Sequence, residues 1–180
     1  METLSIIKKR RHIHFFKPDP VRNEDIETLL EAARWAPSAG NLQPLEIVIV
    51  KTNSQKKQLV EDAGGKRYIA SAPVIFVICA DLIRSSGRYK DRGTALYVIQ
   101  DTAAATQNIL LTATALGLGS GWVGAFDEEK VAKTLELPAK IRPLAIILIG
   151  KAAEDPNPPP RRKISEFAHY ETFKSTKQDQ

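Results

Sequence analysis

The chain has 180 residues, a formal net charge of +5, 43% hydrophobic residues and 26% charged residues. This balance excludes a disordered chain, supplies one domain's worth of apolar surface, and favours anionic ligands such as phosphate esters, nucleotides or nucleic acid. The single cysteine, Cys79, excludes an intramolecular disulfide framework and a multi-cysteine zinc site.

Residues 3 to 22 carry a basic cluster and end in the turn-rich Lys17-Pro18-Asp19-Pro20. No apolar segment precedes the basic residues, so no signal peptide is expected, and the lone thiol suits a cytoplasmic location. Asn23 is placed to cap a helix from about Glu24, with Ile26, Leu29, Leu30 and Ala33 on one face. Pro37 stops it, because the residue before a proline avoids the α region. Ile47 to Val50 is β-branched throughout and reads as a buried strand. Ser54 is placed to cap a second helix to about Ala63, where Gly64-Gly65 ends it. "VIFVICA", Val74 to Ala80, is a second buried strand.

Thr94 to Leu118 is the longest predicted helix, apolar on most of its circumference and therefore expected to be central and buried. Gln100, Asp101, Gln107 and Asn108 interrupt it and argue against a membrane span. "SGWVGAF" reads as a short strand, Asp127 caps a helix to about Leu135, and Leu144 to Ile149 is the last core strand. A proline run at 154–160 is extended and leads a C-terminal tail away from the core. That tail carries Ile164, Phe167, Tyr170 and Phe173, which need apolar cover from their own domain or from a second subunit. The element order lacks strict βαβ alternation, so the fold class is α+β.

The chemistry-bearing residues are few. "KKRRHIH", residues 8 to 14, fits a solvated face, a nucleic-acid patch or a phosphate grip. Arg161-Arg162-Lys163 is a second basic cluster. His12, His14 and His169 lack metal-ligand spacing. Cys79 reads as a core residue, and Asp101, mid-helix, as a structural carboxylate or an acid–base group. Neither GxGxxG after a strand nor GxxxxGK[ST] is present. The amide-rich turn "APSAGNLQP" and the glycine-rich "LGLGSGWVGAF" complete the inventory. Phosphate grips, an amide-rich turn and exposed glycine backbone suit an enzyme whose cofactor carries the reaction.

These motifs, in this order and over nearly the whole chain, resemble the FMN-dependent nitroreductase family. The resemblance implies a single FMN-binding domain over 1–180, with a central mixed β-sheet flanked by helices and a long buried central helix. It also implies a C-terminal arm, about 154–180, exchanged in a homodimer with FMN at the subunit interface. Arg10 is then the phosphate ligand, with Arg11, His12 and His14 completing that motif. The family usually has Ser where His12 stands, and often Arg or Lys where His14 stands. A fixed cation there would stabilise an anionic reduced flavin, whereas histidine does so only when protonated. Pro37, Ser38, Ala39, Gly40, Asn41 and Gln43 match the segment along the flavin. Trp122, Val123, Gly124 and Ala125 match the segment near its reactive side, with the Gly124 N–H near N5. Arg162, or alternatively Arg161, matches the distal phosphate position, and Arg67 is a further candidate.

The implied activity is ping-pong transfer from NADH or NADPH, through FMN, to a nitroaromatic, quinone or similar electrophile. One alternative is a specialised flavin enzyme of the same fold: a dehalogenase, flavin-cleaving enzyme or dehydrogenase. Leu82 to Gly93 would then be its lid, against the plainer reading of a solvated loop. The other is a basic nucleic-acid-binding or interaction module, which the 7% aromatic content and the lack of a recognised nucleic-acid motif disfavour.

Overall fold

The computed structural model describes residues 2–173. Four strands, β1 (Leu45–Val50), β2 (Val74–Asp81), β3 (Gly119–Val123) and β4 (Ile141–Gly150), form one sheet in the order β1-β2-β4-β3. All three pairings are antiparallel. The expected mixed sheet is therefore corrected. β4 lies between β2 and β3 and runs against both, so the two mutually parallel strands never pair. The parallel contact among the described residues is one isolated bridge, His12 to Ser120.

Alternation along β2 divides the core. Ile75, Val77 and Cys79 pack on one face with Leu59, Ile69, Val131, Ile146 and Leu148. Phe76 and Ile78 pack on the other with Leu29, Ile109, Ala113, Ile147 and Ile149. Because both faces are covered, β2 is apolar without alternation. β1 departs from expectation. Only Val50 in it is buried, and Ile49 is 38% exposed, because β1 is an edge strand paired with β2 alone.

Among the described residues, six α-helices accompany the sheet: α1 (Thr3–Lys9), α2 (Asn23–Arg34), α3 (Asn53–Asp62), α4 (Leu82–Arg92), α5 (Val98–Ala115) and α6 (Glu128–Thr134). α1 lies where the sequence suggests only an irregular basic segment, and it buries none of its residues. Asn23 and Ser54 prove to lie inside α2 and α3, with Arg22 and Thr52 at the caps. Arg22 instead forks onto Asp25 in the first turn, at 2.9 and 2.7 Å. Asp127 caps α6 as expected, accepting the Lys130 N–H.

The expected helix over 94–118 is shorter. α5 begins at Val98 and is joined to α4 by a π-helical turn, Gly93–Tyr97. It is buried on one side, but Ile99 is 41% exposed, so it is not buried all round. Leu82–Arg92 is helix α4 rather than a solvated loop, because the Asp81 carboxylate accepts the Ile83 and Arg84 N–H groups and starts it.

The first part of the arm is tied down: Phe16 bridges Ala152, and the Ala153 N–H donates to the Phe15 carbonyl at 2.9 Å. Further on, Ile164, Phe167, Tyr170 and Phe173 are all more than half exposed. Among the described residues, these four side chains find no apolar cover on their own domain. Residues 174–180 of the expected arm lie outside the described residues. No helix among the described residues is long and apolar enough to cross a membrane.

Phe76 is fully buried at the centre of the β2–β4 ladder. Phe76→Ala should cost about 3–5 kcal/mol. Thermal unfolding at fixed protein concentration checks this, and an unchanged midpoint would contradict the packing described.

Candidate functional site

The segment after α1 lies along β3. The Ile13 N–H donates to the Ser120 carbonyl at 3.0 Å. The approach is so close that a Cβ on Gly121 would sit 2.6 Å from the Ile13 carbonyl oxygen. Glycine is needed there for space. This contact sets the His12 ring beside Trp122, whose backbone N–H donates to His12 Nδ1 at 3.3 Å. An accepting Nδ1 places the ring proton on Nε2 and keeps the imidazole neutral. Burial, then the charges of His14 and Arg10, lower the His12 pKa, against an opposing pull from Glu154. The two histidine rings lie 4.5 Å apart, and His14 meets Tyr68 edge-on at 4.7 Å. The Glu154 carboxylate accepts the His14 and Phe15 N–H groups, which hold its pKa below the usual range.

Arg10 follows directly. It is half-buried, and burial, then Arg161, then Arg11 lower its pKa, with no group raising it. Arg11 serves the backbone: its Nε donates to the Pro156 carbonyl at 3.1 Å and its Nη1 to three carbonyls of residues 8–10. Of the two tail arginines, Arg161 is the one within electrostatic reach of Arg10. Arg162 pairs with Glu166 at 3.6 Å. Arg67 is exposed and lines a groove with α3 residues Ser54, Lys57 and Gln58. Beyond β3, Gly124 and Ala125 are exposed, and the Ala125 carbonyl accepts from Lys66 Nζ at 2.9 Å.

A second group forms around residues 37–43. Gly40, Asn41 and Gln43 all have positive φ, at 57°, 56° and 50°. Three left-handed residues in four require specific anchoring. Ser38 Oγ accepts the Gln43 N–H at 3.0 Å, and Asp101 Oδ1 accepts the Ala39 N–H at 3.0 Å. Asp101 Oδ2 is buried without a partner among the described residues, and burial raises the carboxyl's pKa. Through Oδ1, Asp101 hooks the turn to α5. A cavity of about 350 Å³ behind the turn is lined by Leu30, Pro37, Ser38, Gln43, Arg84 and Asp101, among others. Gly40 itself is pressed against α4: a Cβ there would lie 2.7 Å from the Tyr89 hydroxyl. The sequence offered 82–93 as a lid or a solvated loop; what it did not indicate is a helix packed against the turn at Gly40.

The Gly124–Ala125 segment after β3 and the 37–43 turn before β1 leave the sheet toward the same end, because Leu45 pairs with Ala80, Ala80 with Arg142, and Val123 with Ile146. They do so from opposite edges, three strand spacings or about 14 Å apart. No hydrogen bond or ion pair joins them among the described residues. Nor is there a cluster of His, Cys, Asp or Glu able to hold a metal ion among those residues. Cys79 is buried, its thiol pushed up to about 12 by burial, in keeping with a core role.

His12 gives a testable pH dependence. Its folded-state pKa is depressed, so the stability it allows is present above the ordinary imidazole value of 6.5. Below that value the unfolded chain takes up the proton first, and stability falls. Wild type should lose more thermal stability than His12→Ser between about pH 7.5 and pH 5.5. Equal losses would show that the ring is free to protonate in place.

The nitroreductase family model matches residues 7–68 and 58–151. A protein of Archaeoglobus fulgidus, provisionally named an NADH dehydrogenase/NAD(P)H nitroreductase, is 35% identical over 153 residues, covering 83% of this chain and 84% of its own. The FMN reductase [NAD(P)H] of Bacillus subtilis is 29% identical, covering 96% and 74%. The NADPH:FMN oxidoreductase of Vibrio harveyi, solved in complex with NAD+, superposes with a TM-score of 0.89 at 27% identity, covering 96% of this chain and 78% of that one. The four-stranded sheet, the basic segment along β3 and the glycine-dependent contact at Gly121 thus occur in a chain that belongs to the nitroreductase family.

Proposed function

We propose that this protein is an FMN-dependent NAD(P)H oxidoreductase acting as a homodimer, with FMN held between two copies of the chain. The observation that carries the reading is the Arg10 cluster. A half-buried guanidinium repelled by the charges of Arg161 and Arg11, with no acid raising its pKa, is an arrangement that a phosphate dianion relieves. The rest of the site fits the same cofactor. Gly124 and Ala125 offer exposed backbone, and the left-handed turn presents the amides of Asn41 and Gln43 to solvent.

FMN, when bound, would supply ping-pong hydride chemistry between NADH or NADPH and a nitroaromatic, quinone or similar electrophile. The chain's own residues bind and orient. Arg10 and Arg161 anchor the phosphate. His12 fixes the Trp122 backbone and so the path of Val123, Gly124 and Ala125. Pro37, Ser38, Ala39 and Gly40 form a wall that Asp101 pins through Ala39. Arg162, His14 and Arg67 are left with supporting positions at most.

The dimer rests on three features of the single chain. The arm exposes four large apolar residues. Leu4, Ile7 and Phe15 are also exposed at 45–59%. The two half-sites leave opposite edges of the sheet, and a second copy would join them. An arm reaching across a second subunit explains all three. Arg11 is turned inward onto carbonyls, which removes a cation from any nucleic-acid patch. A reducing compartment such as the cytoplasm suits the lone buried thiol.

Purified protein should be yellow, with FMN absorbance near one per chain. Arg10→Gln should raise the FMN Kd about 10- to 100-fold, the loss of one charge-assisted phosphate contact. Colourless wild-type protein that FMN does not reconstitute would remove the reading. Asn41 is best tested as Asn41→Gly, because a leucine at φ 56° would add backbone strain of its own. Asn41→Gly should weaken FMN binding and leave the dimer intact by light scattering. Unchanged FMN affinity would reduce the segment to a turn.

A further inference from the structure

The segment from α4 to Tyr97 carries Arg84, Arg88, Lys90 and Arg92 against a single acid, Asp91. It is a built hairpin. Lys90 breaks the helix at φ 48° and ψ −134°. Gly93 then packs so closely on the first arm that a Cβ would come within 2.5 Å of the Ser85 carbonyl oxygen. Tyr89 and Tyr97 close it edge-to-face at 4.9 Å.

Its cations are not equivalent. Arg84 pairs with Asp81 at 3.5 Å, and Arg92 donates to the Tyr97 hydroxyl at 2.9 Å. Arg88 lies over the Tyr89 ring, 5.4 Å from its centroid, and has no carboxylate partner among the described residues. Arg84 and Arg88 are one turn apart on the face of α4 that meets the 37–43 turn. Arg84 lines the cavity with Ser38 and Gln43, and a Cβ on Gly40 would lie 2.9 Å from Arg88 Nη1. An exposed guanidinium therefore stands at the rim of the turn assigned to the flavin wall.

We propose that Arg88, supported by Arg84, recognises the 2′-phosphate of NADPH and makes NADPH the preferred electron donor. The proposal rests on the FMN reading above. A nicotinamide that reaches the flavin leaves its adenosine half to extend over the rim of the site. NADPH and NADH differ there by one phosphate monoester, a dianion whose oxygens match the planar fork of an arginine. The tyrosine beneath holds that fork in place without neutralising it. An acidic electron acceptor would meet the same charge only in the second half-reaction, so donor selectivity separates the two ligands.

The test is steady-state and stopped-flow reduction of the FMN-loaded enzyme by each nucleotide. Wild type should favour NADPH. Arg88→Gln should lower the NADPH-to-NADH ratio of kcat/KM about 10-fold or more, mainly through the KM for NADPH, with Arg88→Lys intermediate. Adenosine 2′-phosphate should compete with NADPH in wild type and lose potency in Arg88→Gln. An unchanged ratio in an enzyme with normal FMN content overturns the proposal alone, even if an acidic acceptor is affected. A wild-type protein whose flavin neither nucleotide reduces overturns it together with the reading beneath it.

Discussion

The contact of the Ile13 carbonyl against Gly121 organises the functional half of this molecule. It lets an irregular segment lie flush on the edge of β3. Everything nearby depends on that approach. His12 reaches the Trp122 N–H, His14 reaches Tyr68, and Glu154 captures two backbone N–H groups from the same segment. The Glu154 contacts also fix where the arm departs, which returns Arg161 to the neighbourhood of Arg10. A residue larger than glycine at 121 would shift the whole set.

The net charge of +5 is not spread as a uniform coat. Part of it serves structure: Arg22 clamps the first turn of α2, Arg142 forks onto Glu128, and Arg11 ties carbonyls together. Two arginines stand apart from these: Arg10, within reach of the charge of Arg161, and Arg88, one turn from Arg84. In each, a guanidinium lies near a segment with exposed backbone and has no acid beside it that satisfies it. Like charges held together are tolerated because the sheet, α4 and the arm anchor the backbone independently of those side chains.

Much of this was legible from residue order. "VIFVICA" declared a doubly covered strand, Asp127 a capped helix, and Cys79 a core thiol. Pro37 marked the end of a helix where one ends. The errors have local causes. A continuous β-branched run at 47–50 looked buried, but burial depends on how many neighbours a strand has, and β1 has one. The 82–93 segment looked like a loop because its helix is charged, and its stability comes from the Asp81 cap and from Gly93 packing on Ser85.

The sequence by itself determined the α+β class, the long helix, the basic segment and the amide-rich turn, because hydrophobic periodicity and proline and glycine placement act over short range. It also carried the family resemblance, since motif order survives without coordinates. Only the tertiary structure decided that the sheet is wholly antiparallel, that His12 is held as a neutral acceptor, that Asp101 pins the turn, and that Arg88 lies over Tyr89 beside it. Each of these joins residues distant in the chain, and no local pattern encodes which distant group will fill a given space.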